Sequence, residues 1–258
     1  MQRRGTLLIV AVVALALGGC HATRPSQSSP STDADTHQGD TKITDSAKKI
    51  AASPADTASP PETAPETAPK TPDTRPLIVC FGDSLTAGHG TDAGQSYPDY
   101  LQSDLDALGY RYRVVNEGIS GNTTKDGVER VAHIVALKPA VVVVEFGGND
   151  GLRGLRIEDT RANLDKIVAT LKADKIEVVL AGITLPPNYG PDYIKQFNAT
   201  YTLLARKYRV PMLPFLLKGV FGVPGMMQPD MTHATAAGNQ IVAKNILPLV
   251  TPLLTKPR

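Results

Sequence analysis

Short apolar runs recur at Leu77–Phe81, Tyr112–Val115, Ala140–Phe146, Ile176–Ile183 and, more weakly, Val210–Phe215. Runs this short, rich in Val and Ile and without polar alternation, predict strands buried on both faces. Between them apolar residues return at helical spacing: Leu101, Leu105 and Leu108, then Leu164, Ile167, Val168 and Leu171. A last pattern over 234–250 includes Ile241, Val242 and Ile246. Val131 and Val135 mark a further helix, on which His133 is expected to pack. Strands alternating with helices predict one α/β domain with a doubly wound, five-stranded parallel sheet flanked by helices. In such sheets ligand sites form where loops leave the carboxyl ends of the strands.

The pattern stops short of residue 77. His21 to Pro76 has Pro, Ser, Thr and Ala at 35 of 56 positions, and Ile43 and Ile50 are its only large aliphatic residues. All 13 aromatic residues of the chain lie beyond it. Such a segment cannot bury enough apolar surface to offset chain entropy and is expected to be a disordered tether. His21 and His37 fall within it and are set aside as chemical candidates.

Ahead of the tether, Arg3 and Arg4 precede an unbroken apolar run, Leu7 to Leu17, closed by Gly18-Gly19-Cys20. A basic start, a short apolar core and small residues read as a secretory signal peptide over 1–19, too short to span a bilayer. Leu17-Gly18-Gly19-Cys20 resembles the bacterial lipobox, which implies acylation of Cys20 and a lipid-anchored protein of the cell envelope. Cleavage after Ala22, leaving a soluble exported protein, is the alternative. The expected organisation is therefore signal peptide 1–19, tether 20–76 and folded domain 77–258.

Charge and cysteine content narrow the chemistry. With 27 Lys+Arg against 25 Asp+Glu, the 258-residue chain has a net charge of +2 and no field suited to nucleic acid. Two Cys make neither a disulfide framework nor a four-Cys zinc site. Cys80, inside an apolar run, is expected to be an inert buried thiol. No His-Glu-x-x-His motif, Walker spacing or dinucleotide fingerprint is present, so no metal or cofactor is expected.

The expected strand ends carry four polar blocks. They read Gly82-Asp83-Ser84-Leu85, Gly118-Ile119-Ser120-Gly121-Asn122, Gly147-Gly148-Asn149-Asp150-Gly151 and, before the last helix, Asp230-Met231-Thr232-His233. A Ser on a glycine-flanked strand-to-helix turn exposes its hydroxyl beside a helix N-terminus. A Ser hydroxyl needs a base to become a nucleophile, and that His needs a carboxylate to fix its tautomer. A tetrahedral intermediate places negative charge on the former carbonyl oxygen, so fixed N–H donors must meet it. Asp83 and Asp150 read as local turn stabilisers, and His89, in a Gly-rich loop, as a pocket-lining residue.

Together, and in this order, the blocks resemble the GDSL/SGNH hydrolase family over nearly all of 77–258. The longer strings Gly147–Gly154 and Leu185-Pro186-Pro187-Asn188-Tyr189-Gly190 resemble its periplasmic thioesterase, arylesterase and lysophospholipase subgroup. The resemblance implies a flavodoxin-like strand arrangement with Ser84 as nucleophile, His233 as base and Asp230 as its orienter. It also implies an oxyanion hole from Ser84, Gly121 and Asn149, and an acyl-binding surface with Leu152, Leu185 and Pro186. The last block departs from the family's Asp-Gly-x-His-Pro at Met231 and Ala234, which puts the adjoining pocket wall in question.

The implied activity is hydrolysis of carboxylic esters or thioesters, lysophospholipids among them, through an acyl-serine, by a monomer without metal or cofactor. Two readings stand beside it: a carbohydrate O-deacetylase, and a non-catalytic lipid- or glycan-binding lipoprotein.

Overall fold

The structure, a computed structural model, describes residues 73–256. The expected signal peptide, Cys20 and nearly all of the tether lie outside the described residues.

Five strands, β1 (Leu77–Gly82), β2 (Arg113–Gly118), β3 (Val141–Glu145), β4 (Glu177–Ala181) and β5 (Met212–Leu213), pair in parallel. Their order is β2-β1-β3-β4-β5, the expected doubly wound arrangement. The chain steps outward from β1 to β2, then returns to the far side of β1 to lay down β3. That reversal makes the β1–β3 boundary the place where loops part and a crevice opens.

The strands form where the apolar runs predict them, with informative differences. The fifth run shrinks to Met212–Leu213 because Pro211 and Pro214 flank it, and proline has no N–H to extend a ladder. The central β3 is buried along its whole length, its final residue Glu145 included.

Among the described residues seven α-helices accompany the sheet: α1 (Ser84–Ala87), α2 (Tyr97–Ala107), α3 (Thr124–Ala136), α4 (Gly148–Leu152), α5 (Ile157–Ala173), α6 (Pro191–Tyr208) and α7 (Ala236–Val250). α2 packs on α7, and α3 packs on α5, which also meets α6. Helix starts follow local chemistry. The Asp99 carboxylate accepts the Ser96 N–H at 3.0 Å and that of Asp126 accepts the Thr123 N–H at 2.7 Å, each closing a capping box.

Two helical expectations need correction. Leu108 is not part of the buried stripe: it caps α2, where Leu101 and Leu105 already face the core, and is exposed. His133 does not pack inside. It lies on the exposed side of α3, with Nε2 3.5 Å from Glu117 Oε1, while Val131 and Ile134 take the buried positions. The sequence reading named no stripe for α6. Its buried face is largely aromatic, with Phe197 and Tyr201 followed by Leu204, so the aliphatic spacing that betrays α5 is missing there.

Candidate active site

Three strand ends and the loop before α7 supply the site. β1 ends at Gly82, Asp83 turns the chain, and Ser84 opens α1. Asp83 Oδ1 accepts the Leu85 N–H at 3.0 Å, which caps the short helix and fixes the backbone carrying Ser84.

His233 arrives from the far end of the domain. Its Nε2 lies 2.8 Å from Ser84 Oγ, and its Nδ1 lies 2.6 Å from Asp230 Oδ2. Asp230 Oδ1 in turn accepts the backbone N–H groups of Thr232 at 2.9 Å and His233 at 3.1 Å. Partial burial works against ionisation of Asp230, but the hydrogen bonds from His233 and from these two amides outweigh it and hold the carboxyl at about 2. A carboxylate charged at any working pH fixes the proton on Nδ1, which leaves the Nε2 lone pair for the Ser84 hydroxyl. The loop is tied down by Gln228, whose Nε2 donates to the carbonyls of His89 at 2.6 Å and Ala234 at 2.9 Å.

The second and third strands bring Gly121 and Asn149 to the same crevice. Gly121 has φ +82°, which disfavours any side chain, and an added Cβ would meet only Arg153 Nη2, at 3.8 Å. Glycine is therefore needed there for its conformation as well as for an open approach. Arg153 donates to the Gly121 carbonyl at 3.0 Å, and Arg130 anchors the same loop through Asn122 Oδ1 at 2.8 Å and the Glu117 carbonyl at 2.7 Å. Neither the Ser84 nor the Gly121 N–H has a protein acceptor among the described residues. The Asn149 amide nitrogen donates to the Asn122 carbonyl at 2.9 Å and to Asp83 Oδ2 at 3.2 Å.

These groups open onto a cleft of about 530 Å³. All three residues expected on the acyl surface, Leu152, Leu185 and Pro186, line it, and so does His89. Met231, whose departure put the pocket wall in question, also lines it, together with Phe215, Leu217 and Phe221, which no sequence motif marked for the site. For Leu217 and Phe221 the only signal was a group of apolar residues in a region without periodicity. Met231, in the departing block, holds φ +55° and projects at the cleft rim, 54% exposed.

Glu145 is a further residue of the site that no motif marks. A carboxylate inside an otherwise apolar run was the available signal. Glu145 is fully buried beneath the Ser84 turn, where its Oε2 accepts from Thr86 Oγ1 at 2.8 Å and from the Asp83 N–H at 3.3 Å. Burial pushes Asp83 up to about 6 against its hydrogen bonds from the Leu85 N–H and the Asn149 amide. Burial and the neighbouring Asp83 raise Glu145 well above the usual carboxylate range. Asp83 is therefore more than a local turn stabiliser. Asp150 also differs from that expectation: it reaches across to the Thr124 N–H at 2.9 Å and Thr160 Oγ1 at 3.3 Å, tying α4 to α3 and α5. Cys80 is buried in β1 as expected, its thiol pushed up to about 12 by desolvation. Among the described residues no group of three or more His, Cys, Asp or Glu could hold a metal ion.

The profile of the GDSL-like Lipase/Acylhydrolase family matches residues 80–241, which takes in all four polar blocks. The chain belongs to this family. It is accordingly an ester hydrolase of the GDSL esterase/lipase kind, built on the SGNH hydrolase fold.

Among similar proteins of this family, Esterase TesA of Pseudomonas aeruginosa is 43% identical over 178 residues, covering 69% of this chain and 89% of that protein. Thioesterase 1/protease 1/lysophospholipase L1 of Escherichia coli is 37% identical, covering 67% of this chain and 84% of that protein. The crystal structure of TesA superimposes with a TM-score of 0.67 at 42% identity, covering 69% of this chain and 99% of that one. AlinE4, an SGNH-hydrolase family esterase, superimposes with a TM-score of 0.59 at 38% identity, covering 70% and 97%.

Proposed function

We propose that Ser84, His233 and Asp230 are the catalytic triad of an acyl-ester and thioester hydrolase whose acyl chain lies in the apolar cleft. The observation that carries this is the hydrogen-bonded line Asp230–His233–Ser84, at 2.6 and 2.8 Å, opening into that cleft.

His233 takes the Ser84 proton on Nε2 as Oγ attacks the carbonyl carbon. Negative charge collects on the carbonyl oxygen, where the N–H groups of Ser84 and Gly121 face it. Asn149 adds a third donor by sharing one of the amide hydrogens that otherwise meet Asn122 and Asp83. Collapse expels the alcohol or thiol, which receives the proton from His233 and leaves acyl-Ser84. Water, deprotonated by the same His233, then attacks the acyl-enzyme, and the proton returns to Ser84 as the carboxylic acid departs.

The lining of Leu152, Leu185, Pro186, Phe215, Leu217 and Phe221 favours an aliphatic or aromatic acyl group over a sugar. The names of the relatives, thioesterase, lysophospholipase and, for a Vibrio mimicus protein, arylesterase, agree with that class. A binding module without catalysis would need no base on Ser84. Ser84→Ala should abolish p-nitrophenyl ester hydrolysis and labelling by a fluorophosphonate probe. Full hydrolysis by this variant would overturn the mechanism.

We also infer that Cys20 carries a lipid that holds the domain, through the 20–76 tether, to a membrane of the cell envelope. The support is the Leu17-Gly18-Gly19-Cys20 string after an apolar run. More than one acyl chain at about 0.8 kcal/mol per buried methylene makes such attachment stable. Cys20→Ser should move the protein from the membrane fraction to the soluble one, and sedimentation unchanged would refute the anchor.

A further inference from the structure

We infer that Asp83 and Glu145 form a positioning pair that decides which end of the Asn149 amide faces the reacting carbonyl. This rests on the reading above that Asn149 is an oxyanion donor.

The oxygen and nitrogen ends of an Asn amide are nearly equal in size, so neighbours rather than packing choose between them. Here the nitrogen end meets two acceptors, the Asn122 carbonyl at 2.9 Å and Asp83 Oδ2 at 3.2 Å. Reversing the amide would set its oxygen against both and leave two acceptors facing a third. The amide oxygen and nitrogen would then exchange places in the cleft, and an oxyanion would be repelled where it should be bound.

Asp83 can act as this selector because it is itself immobilised. It is 2% exposed, its Oδ1 is taken by the Leu85 N–H, and its backbone N–H meets Glu145 Oε2 at 3.3 Å. The same Glu145 oxygen accepts from Thr86 Oγ1 at 2.8 Å, which also lies 3.2 Å from the Tyr97 hydroxyl. Glu145 Oε1 is buried with no hydrogen-bond partner. Two carboxyls under a strand end, one of them incompletely satisfied, oppose folding. A task at the site above them accounts for the arrangement, since unfavourable polar groups collect where function requires them. Neither residue was marked by the four polar blocks as acting on Asn149. Glu145 acts through Asp83, and Asp83 through the amide.

The test is a double-mutant cycle read in steady-state kinetics with a p-nitrophenyl ester. Asp83→Ala should lower kcat by about tenfold or more while KM stays within about twofold. That is part of the 10²–10³ loss expected when an oxyanion donor is removed outright. In an Asn149→Ala background the same substitution should lower kcat no further, because nothing remains to orient. Glu145→Gln, which keeps an uncharged acceptor for the Asp83 N–H, should lose less kcat than Glu145→Leu. Thermal melts of each variant identify those that fold, and the cycle is read on these alone. The Glu145→Gln and Glu145→Leu comparison, again in kcat against KM, serves as the second reading if Asp83→Ala fails to fold. Additive losses in the cycle, a loss confined to KM, or equal kcat in Glu145→Gln and Glu145→Leu would overturn the proposal. Full kcat in Asn149→Ala would instead remove the oxyanion reading on which it stands.

Discussion

The ring of His89 packs against the ring of His233, with centroids 4.5 Å apart and planes tilted by 45°. His89 is steadied by Ser120 Oγ, 3.4 Å from its Nδ1, and by the Gln228 amide on its carbonyl. An aromatic neighbour in this position limits how far the His233 imidazole can swing away from Ser84. His89→Ala should lower kcat/KM by up to about tenfold, the size of one aromatic pair's energy, whereas His89→Phe should keep activity within about threefold. Steady-state kinetics with a short-chain ester checks this. Equal losses in the two variants would mean that contact with substrate, not ring packing, is what His89 provides.

Asp230 is expected to matter more. Asn at 230 can keep the shape of the hydrogen bond but not the charge that fixes the Nδ1 proton. Asp230→Asn should reduce kcat by on the order of 10³–10⁴ with little change in fold. Single-turnover acylation by a p-nitrophenyl ester is the measurement, and a loss below about tenfold would show that His233 is oriented by other means.

Met231 stands where the family's last block has Gly, in the left-handed region at φ +55°. A side chain there costs about 1 kcal/mol of strain, and Met231→Gly relieves it at some cost in unfolded-chain entropy. The melting temperature should stay level or rise slightly. The same change strips apolar surface from the cleft rim. The preference for octanoyl over acetyl esters should fall by about three- to tenfold, as expected for about 1 kcal/mol of lost burial. A series of p-nitrophenyl esters of increasing chain length reads this directly.

Burial of Asp83 has a consequence for stability with a definite sign. Its carboxyl is pushed from 3.8 up to about 6. Between those values the folded chain keeps a proton that the unfolded chain has released, so stability is lost as pH rises through the window. Asp230, held at about 2, works the other way, and its contribution is lost only as pH falls below about 4. Asp83→Asn removes the first effect, together with the part of the Glu145 rise that Asp83 causes, which has the same sign. Lowering the pH from about 7.5 to about 4.5 should therefore raise the melting temperature of the parent chain relative to that of Asp83→Asn. A constant difference between the two chains would show that Asp83 titrates normally.

The alternation of strands and helices, the parallel sheet and the four polar blocks were legible in the sequence because each depends on local spacing. Ser84, Gly121, Asn149, Asp230 and His233 sit at ends of elements that periodicity marks. What escaped notice depends on contacts between distant segments. The lining residues Leu217 and Phe221 come from a stretch with no periodicity, and α6 hides its buried face in aromatics. Glu145 was in view but was absorbed into an apolar run. Its meaning appears only when β3 is placed beside β1 and the carboxyl falls under the Ser84 turn. Leu108 and His133 obey local spacing and still face outward, because helix ends and one-residue rotations decide exposure, not composition.

Ser84 follows the first strand of the sheet, and His233, its hydrogen-bond partner, stands 149 positions later, just before the last helix. On the proposed mechanism, a chain that emerges from its N-terminus onward presents the nucleophile long before the base. Until α7 docks, the Ser84 hydroxyl is no more reactive than any alcohol in water. On the proposed mechanism, hydrolysis therefore begins only when the segment carrying His233 has folded against the Ser84 turn.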